Sequence, residues 1–175
     1  MCSVGRPFAA YAAFAWMAFF AVIHIYWLVG GTVGLPPGKK LTDSTGLLIA
    51  DIIAIPLCMV GAALALALTQ TGRARPSPRT LKRLAVATAV VAVVHAGPAM
   101  ISWVLRLLGV EDGELTDEER FSLFLYEPFW LLGGILFGLA TWEYRRALHR
   151  SESDDRWART SHRPAERPRR NQRKE

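Results

Sequence analysis

Six ionisable side chains stand inside stretches of sequence that are otherwise apolar: His24, Asp51, His95, Arg106, Glu127 and Glu143. Such groups are expensive in an apolar surrounding, so each requires a partner or a cavity. Asp51, Glu127 and His24 are the residue types that general acid–base chemistry employs, and they are the candidate catalytic residues. Trp27 and Trp130 lie three residues beyond His24 and Glu127, where an indole face could stabilise a developing cation. A metal site is the other chemistry that histidines and acids support. Its usual helical signature, two ligands three or four residues apart, does not occur among His24, Asp51, His95 and Glu127. The only cysteines are Cys2 and Cys58, with no Cys-x-x-Cys, so thiol redox chemistry is not expected, and neither a metal nor a cofactor is.

The elements that carry these residues are four apolar blocks, at about residues 8–31, 47–68, 84–108 and 121–144. Each exceeds the ~20 residues with which a helix crosses ~30 Å of hydrocarbon. Within a bilayer only helices and closed barrels satisfy every backbone group, so the expected fold is all-α, a four-helix transmembrane bundle. The first block is too long and too weakly flanked by cations for a signal peptide and reads as a retained helix. The 175 residues leave room for one domain, expected over 1–146, with a basic tail over 147–175 expected to be disordered. The formal charge is +6, but it is concentrated in one loop and that tail, which is a pattern of membrane orientation and not of nucleic-acid binding.

Arg73, Arg75, Arg79, Lys82 and Arg83 fall between the second and third blocks, and Arg145, Arg146 and Arg150 follow the fourth. The loop between the third and fourth blocks is acidic, and the first loop carries only Lys39 and Lys40. The positive-inside rule then places both termini in the cytoplasm of a multi-pass protein of the cell membrane. In that frame His24, Asp51, Arg106 and Glu127 all fall in the outer leaflet, one per helix, while His95 is deeper and Glu143 lies at the inner interface. Trp27, Trp130, Trp142 and Tyr144 are expected in interfacial belts.

Helical spacing groups these residues on faces. Thr88, His95, Ala99, Ser102 and Arg106 form one polar stripe on the third helix. Asp51, Ala54, Cys58, Gly61 and Ala65 form a small-residue stripe on the second, and Glu127, Gly134, Gly138 and Thr141 another on the fourth. Small residues mark close helix packing in lipid, so both acids should point into the bundle, with Arg106 as their counter-charge. Pro56, Pro98 and Pro128 could splay the outer half and leave room for a ligand.

His24-Ile-Tyr-Trp27-Leu-Val-Gly-Gly with Gly34-Leu-Pro, and Glu127-Pro-Phe-Trp130-Leu-Leu-Gly-Gly, carry a resemblance. From Phe8 to Arg146 the chain resembles domain of unknown function 3995, a small four-helix membrane family. The resemblance implies a fold and a location and no activity. The residues themselves admit three readings. The first is a pocket of His24, Trp27, Asp51, His95, Arg106, Glu127 and Trp130 that binds a lipid, a small ligand or a membrane partner. The second is a small membrane enzyme of isomerase or cyclase type, acting on a lipidic or isoprenoid substrate. The third, a proton-coupled carrier, would need more helices than one copy provides. The expected partners are membrane lipids and a lipidic ligand, with no nucleic acid; oligomeric state is not encoded in any of these features. The first reading is the one the sequence favours.

Overall fold

In the computed structural model of the chain, residues 7–70, 77–111 and 113–161 are described, and among them the regular structure is helical. α1 spans Phe8–Leu28, α2 Thr45–Ala67 and α3 Pro78–Leu107. α4 (Asp117–Phe121) runs through a π-helical turn, Ser122–Tyr126, into α5 (Glu127–Ser161). The four spans α1, α2, α3 and α4–α5 are each long and apolar enough to cross a membrane.

Local chemistry moves the ends of these helices away from the ends of the apolar blocks. α1 stops at Leu28 because Gly30 adopts φ +97°, and the N–H groups of Gly30 and Gly31 turn back onto the carbonyls of Trp27 and Tyr26. α3 starts at Pro78, ahead of its apolar block. Ser77 caps it, accepting the Thr80 N–H at 3.3 Å, and proline in the first turn gives up a donor that has no partner there anyway. Pro56 and Pro98 lie within α2 and α3 without ending either helix. The expected disordered tail is corrected in part: α5 continues to Ser161. Glycine and proline are absent from residues 139–163, so nothing breaks the helix at the membrane end, and His149 and Glu152 pair across one turn at 3.9 Å. The rest of the tail, and Arg73 and Arg75, lie outside the described residues.

α1 packs along α2 and against α5, and α5 packs along α3, whereas α2 and α3 touch only sparsely. The core between them mixes small and aromatic residues, with Ala13, Trp16 and Phe20 of α1, Ala65 of α2, Ala85 of α3 and Phe137 of α5 all buried. Large apolar residues such as Ile52, Leu57 and Val60 of α2 face outward, as expected of a surface bathed in lipid. The predicted α2 stripe holds: Asp51, Cys58, Gly61 and Ala65 are buried, and a methyl on Gly61 would sit 2.6 Å from Met17 Cε.

Two stripes are corrected. On α5 the packing glycines are Gly133 and Gly134, not Gly134 and Gly138. A methyl on Gly133 would lie 2.4 Å from the Trp16 ring, one on Gly134 would lie 2.7 Å from Val93 Cγ2, and one on Gly138 would meet nothing within 4 Å. Neighbouring residues on a helix point about 100° apart at 3.6 residues per turn, so the adjacent pair lets α1 and α3 approach α5 from two sides at once. On α3 the buried positions are Leu81, Ala85, Ala92 and Ala96, and the polar stripe lies beside this line instead of on it. Thr88 satisfies its hydroxyl on its own helix, on the Leu84 carbonyl at 3.0 Å.

Gly133→Ala should therefore destabilise the bundle by roughly 1–3 kcal/mol, the usual cost of overpacking. Gly138→Ala should be neutral or stabilise by up to about 1 kcal/mol, because alanine is the better helix former. Unfolding of the detergent-solubilised protein in increasing dodecyl sulfate measures both, and equal losses at the two positions would contradict this packing.

Candidate functional site

At the end of the bundle where the α1–α2 and α3–α4 loops lie, α1, α2, α3, the π-turn and α5 surround a cavity of about 740 Å³. Its polar floor comes from three elements. His24 lies in the penultimate turn of α1 and Asp51 in the second turn of α2, and the long packing of these two helices brings them together: His24 Nδ1 and Asp51 Oδ1 are 2.5 Å apart. Asp51 is only 3% exposed, so this contact is made away from water. Glu127, 9% exposed, opens α5 and accepts a hydrogen bond from Ser122 Oγ at 3.2 Å.

That last contact depends on the π-turn. In an α-helix residues five apart point about 140° from each other and do not meet. Here the Glu127 N–H reaches back to the Ser122 carbonyl, the wider turn of a π-bulge, and the two side chains come onto one side. Pro128 follows immediately and has no N–H to give to the ladder, which makes this the point at which the helical register is easiest to change.

A roof is made by the segment after α1. Trp27 Nε1 donates to the Val33 carbonyl at 2.8 Å, and the Tyr126 hydroxyl donates to the Gly34 carbonyl. Tyr26 takes the N–H groups of Thr32 and Val33 on its hydroxyl oxygen. Gly34 sits at φ +86° with Trp27 beneath it, a backbone shape that disfavours any side chain. The walls are aromatic and continuous: Phe20 lies 4.7 Å from the His24 ring and 5.4 Å from Trp130, and His24 lies 5.2 Å from Trp27. Trp27 in turn meets Tyr126 edge-on, and His95 lies 4.7 Å from Trp130. Leu35, Lys39, Lys40, Leu41 and Asp43 of the α1–α2 connection stand at the mouth.

Three buried polar atoms on residues that line this space make no hydrogen bond to protein: His24 Nε2, Asp51 Oδ2 and Glu127 Oε2. Leaving a buried polar atom unpaired costs on the order of 1–3 kcal/mol. All three residues line the one cavity, whereas the other two such atoms among the described residues, Trp16 Nε1 and Tyr144 Oη, belong to core residues that do not line it.

Of the sequence-predicted site residues, His24, Trp27, Asp51, His95, Glu127 and Trp130 come together around this cavity. Arg106 does not line it, and its expected pairing with Asp51 or Glu127 is corrected. Its Nε lies 3.6 Å from the Glu111 carboxylate and its Nη1 donates to the Gly113 carbonyl at 3.1 Å. Ser102 donates to the same Glu111 carboxylate at 2.6 Å. Gly109 and Gly113, both at positive φ, fold the loop back over the end of α3, so the nearest acid for Arg106 is local and needs no crossing of the bundle. His95 is exposed and rests on Trp130, not sealed in the interior as its depth in the span suggested. The aromatic belt is corrected too. Trp27 and Tyr144 are buried, Trp130 lines the cavity, and Trp142 alone of the four is exposed, with the Arg146 guanidinium 3.6 Å above its ring. Glu143 accepts the Ala9 N–H at 3.1 Å and so caps the start of α1.

Sequence reasoning missed Ser122, Tyr126 and Phe20. Ser122 and Tyr126 are brought in by the π-turn, which has no periodic signature. Phe20 is one of many aromatic residues on α1, although its place one turn before His24 was a usable signal.

Compared with known proteins, residues 17–137 match the family model described as Protein of unknown function (DUF3995). No curated protein and no solved structure shows significant similarity to the chain.

The two pairings predict different energetic couplings. In double-mutant cycles on unfolding free energy, His24→Ala and Asp51→Ala should couple by about 1–3 kcal/mol, as groups sharing a buried hydrogen bond do. Arg106→Ala should couple to Glu111→Ala and be additive with Asp51→Ala to within about 0.5 kcal/mol.

Proposed function

The chain belongs to the DUF3995 family of proteins of unknown function, and as the family passes on no activity, we propose from the geometry that this is a ligand-binding protein of the cell membrane. Its cavity takes the polar head of an amphipathic, lipidic ligand. The observation that carries this reading is that His24, Asp51 and Glu127, each with a buried polar atom that has no protein partner, line one aromatic-walled space. A head group with hydrogen-bonding atoms would satisfy all three. The cavity, at about 740 Å³, falls within the ~300–1,000 Å³ of small-molecule sites. The sparse contact between α2 and α3 supports a lipid source. Ala50 of α2 and His95 of α3 line the cavity yet remain exposed, so an acyl or isoprenoid chain could leave through that flank into the bilayer.

A second reading has one specific observation in its favour. Asp51 holds His24 by Nδ1 and Nε2 has no protein partner, which is how a carboxylate orients a histidine that acts as a general base. With Glu127 as the partner acid and Trp27 and Trp130 beside a developing cation, the same cavity would suit an isomerase or cyclase acting on an isoprenoid.

In the membrane, the proposed orientation puts both termini in the cytoplasm and opens the cavity outward. Arg79, Lys82 and Arg83 on the first turns of α3, and Arg145, Arg146 and Arg150 on α5, support it. Single cysteines at Lys39 and Arg79, in a background lacking Cys2 and Cys58, test it. An impermeant maleimide added to whole cells should label the first and not the second.

The binding reading predicts that lipid extracted from the purified protein is enriched in one species. Glu127→Gln and Asp51→Asn should lose that species while keeping the unfolding midpoint of the wild type. If the two variants keep the species but fail to convert an offered isoprenoid that the wild type converts, the enzyme reading replaces it. If they merely lower stability and no species is enriched, the polar cluster is structural.

A further inference from the structure

Two buried acids line the cavity. Asp51 and Glu127 are both more than nine-tenths buried, and each has one carboxylate oxygen without a protein partner. His24 is the basic group that faces Asp51. His95 lies against the Trp130 ring, Lys39 and Lys40 stand with Asp43 at the mouth, and Arg106 is engaged by Glu111. Among the described residues, the hydrogen bond that Glu127 receives on its side chain comes from the Ser122 hydroxyl. A buried carboxylate gains most from a positive charge placed beside it.

The surroundings specify which kind of cation. A dehydrated metal ion such as calcium asks for six to eight oxygen ligands, and the walls here are rings instead. Trp130, Phe20, Trp27 and Tyr126, linked in series through the His24 ring, line the same cavity as the two acids. Aromatic faces beside a carboxylate are the recognised surroundings of organic cations, which the ring quadrupole attracts most strongly when water is excluded. We infer that the head group recognised by this cavity carries a single ammonium, held by Glu127 and Asp51 and enclosed by Trp27 and Trp130. This rests on the ligand-binding reading above and names its ligand class. Zwitterionic lipid heads, which carry an ammonium beside a phosphate, fall within the class.

The test uses the full chain in a neutral maltoside detergent with a matched pair of probes. Lysophosphatidylethanolamine and lysophosphatidylglycerol of one chain length share the phosphate and differ in the ammonium, and binding is read from tryptophan fluorescence and the thermal midpoint. The ethanolamine lipid should bind about 10-fold more tightly, and Glu127→Gln should remove that preference without weakening the glycerol lipid. Should Glu127→Gln fail to fold, Trp130→Leu serves instead, with the same selective loss expected. Free ethanolamine binding as well as the lipid would uphold the ammonium and assign its source to a small soluble amine. Equal binding of the two lipids to the wild type overturns the ammonium while leaving a lipid pocket in place. Binding of neither lipid and no amine overturns both.

Discussion

Satisfaction of polar groups between the ends of its helices is the constraint on which the rest of this structure depends. Lipid supplies no hydrogen bonds, so each such group must find a partner within the bundle or face a cavity that can supply one. Several of them find partners on their own helix, in the adjoining loop or on a neighbouring helix. Thr88 and Thr141 turn to carbonyls of their own helices, Glu143 caps α1, and Arg106 joins Ser102 in holding Glu111. Among the described residues, five buried polar side-chain atoms are then left without a partner. Two, Trp16 Nε1 and Tyr144 Oη, lie in the core, and the other three belong to His24, Asp51 and Glu127, which line one space.

How that space stays open follows from the packing. Gly133, Gly134 and Gly61 draw α5 close to α1 and α3, and α2 close to α1. No comparable contact draws α2 to α3. The bundle is tight along three seams and loose along the fourth, and the aromatic side chains that might have filled the loose quarter stand around it as walls. Hydrogen bonds from Trp27 and Tyr126 hold the segment after α1 across its end. The cavity is thus what remains when small-residue packing governs three helix pairs and not the fourth.

Much of this was legible in the residues. Length and apolarity determine the four spans, and one ionisable group per helix at the same depth brings His24, Asp51 and Glu127 to one level. What could not be read were choices between partners that differ by geometry alone. Arg106 could serve either acid in the bundle or the acid of its own loop, and only the fold of Gly109 and Gly113 decides for Glu111. The pair Gly134 and Gly138 satisfies the Gly-x-x-x-Gly spacing, yet the helix presents Gly133 and Gly134 to its neighbours, because it must accommodate two of them. Trp27 and Tyr144 look like belt residues by position. They are buried because one has a loop carbonyl in reach and the other has a neighbouring helix against it.

The π-turn shows why the site needed a structure. Read as a continuous α-helix, the fourth span turns Ser122 away from Glu127, leaving the carboxylate with apolar neighbours on its own helix, Leu123, Phe124, Trp130 and Leu131. One wider turn brings the serine hydroxyl onto Glu127 and sends the Tyr126 hydroxyl to the roof at Gly34. A π-bulge gives up regular ladder bonding, and it persists where something else in the fold holds it. Here the holding contacts are those of the site itself: the serine–glutamate bond on one side and the tyrosine–loop bond on the other. Pro128, at the next position, leaves the Phe124 carbonyl without its α-helical donor. Irregular backbone, an absent donor and two site-forming hydrogen bonds thus coincide within seven residues. That coincidence ties the distortion of the helix to the placing of Glu127, and the carboxylate is the group that the distortion serves.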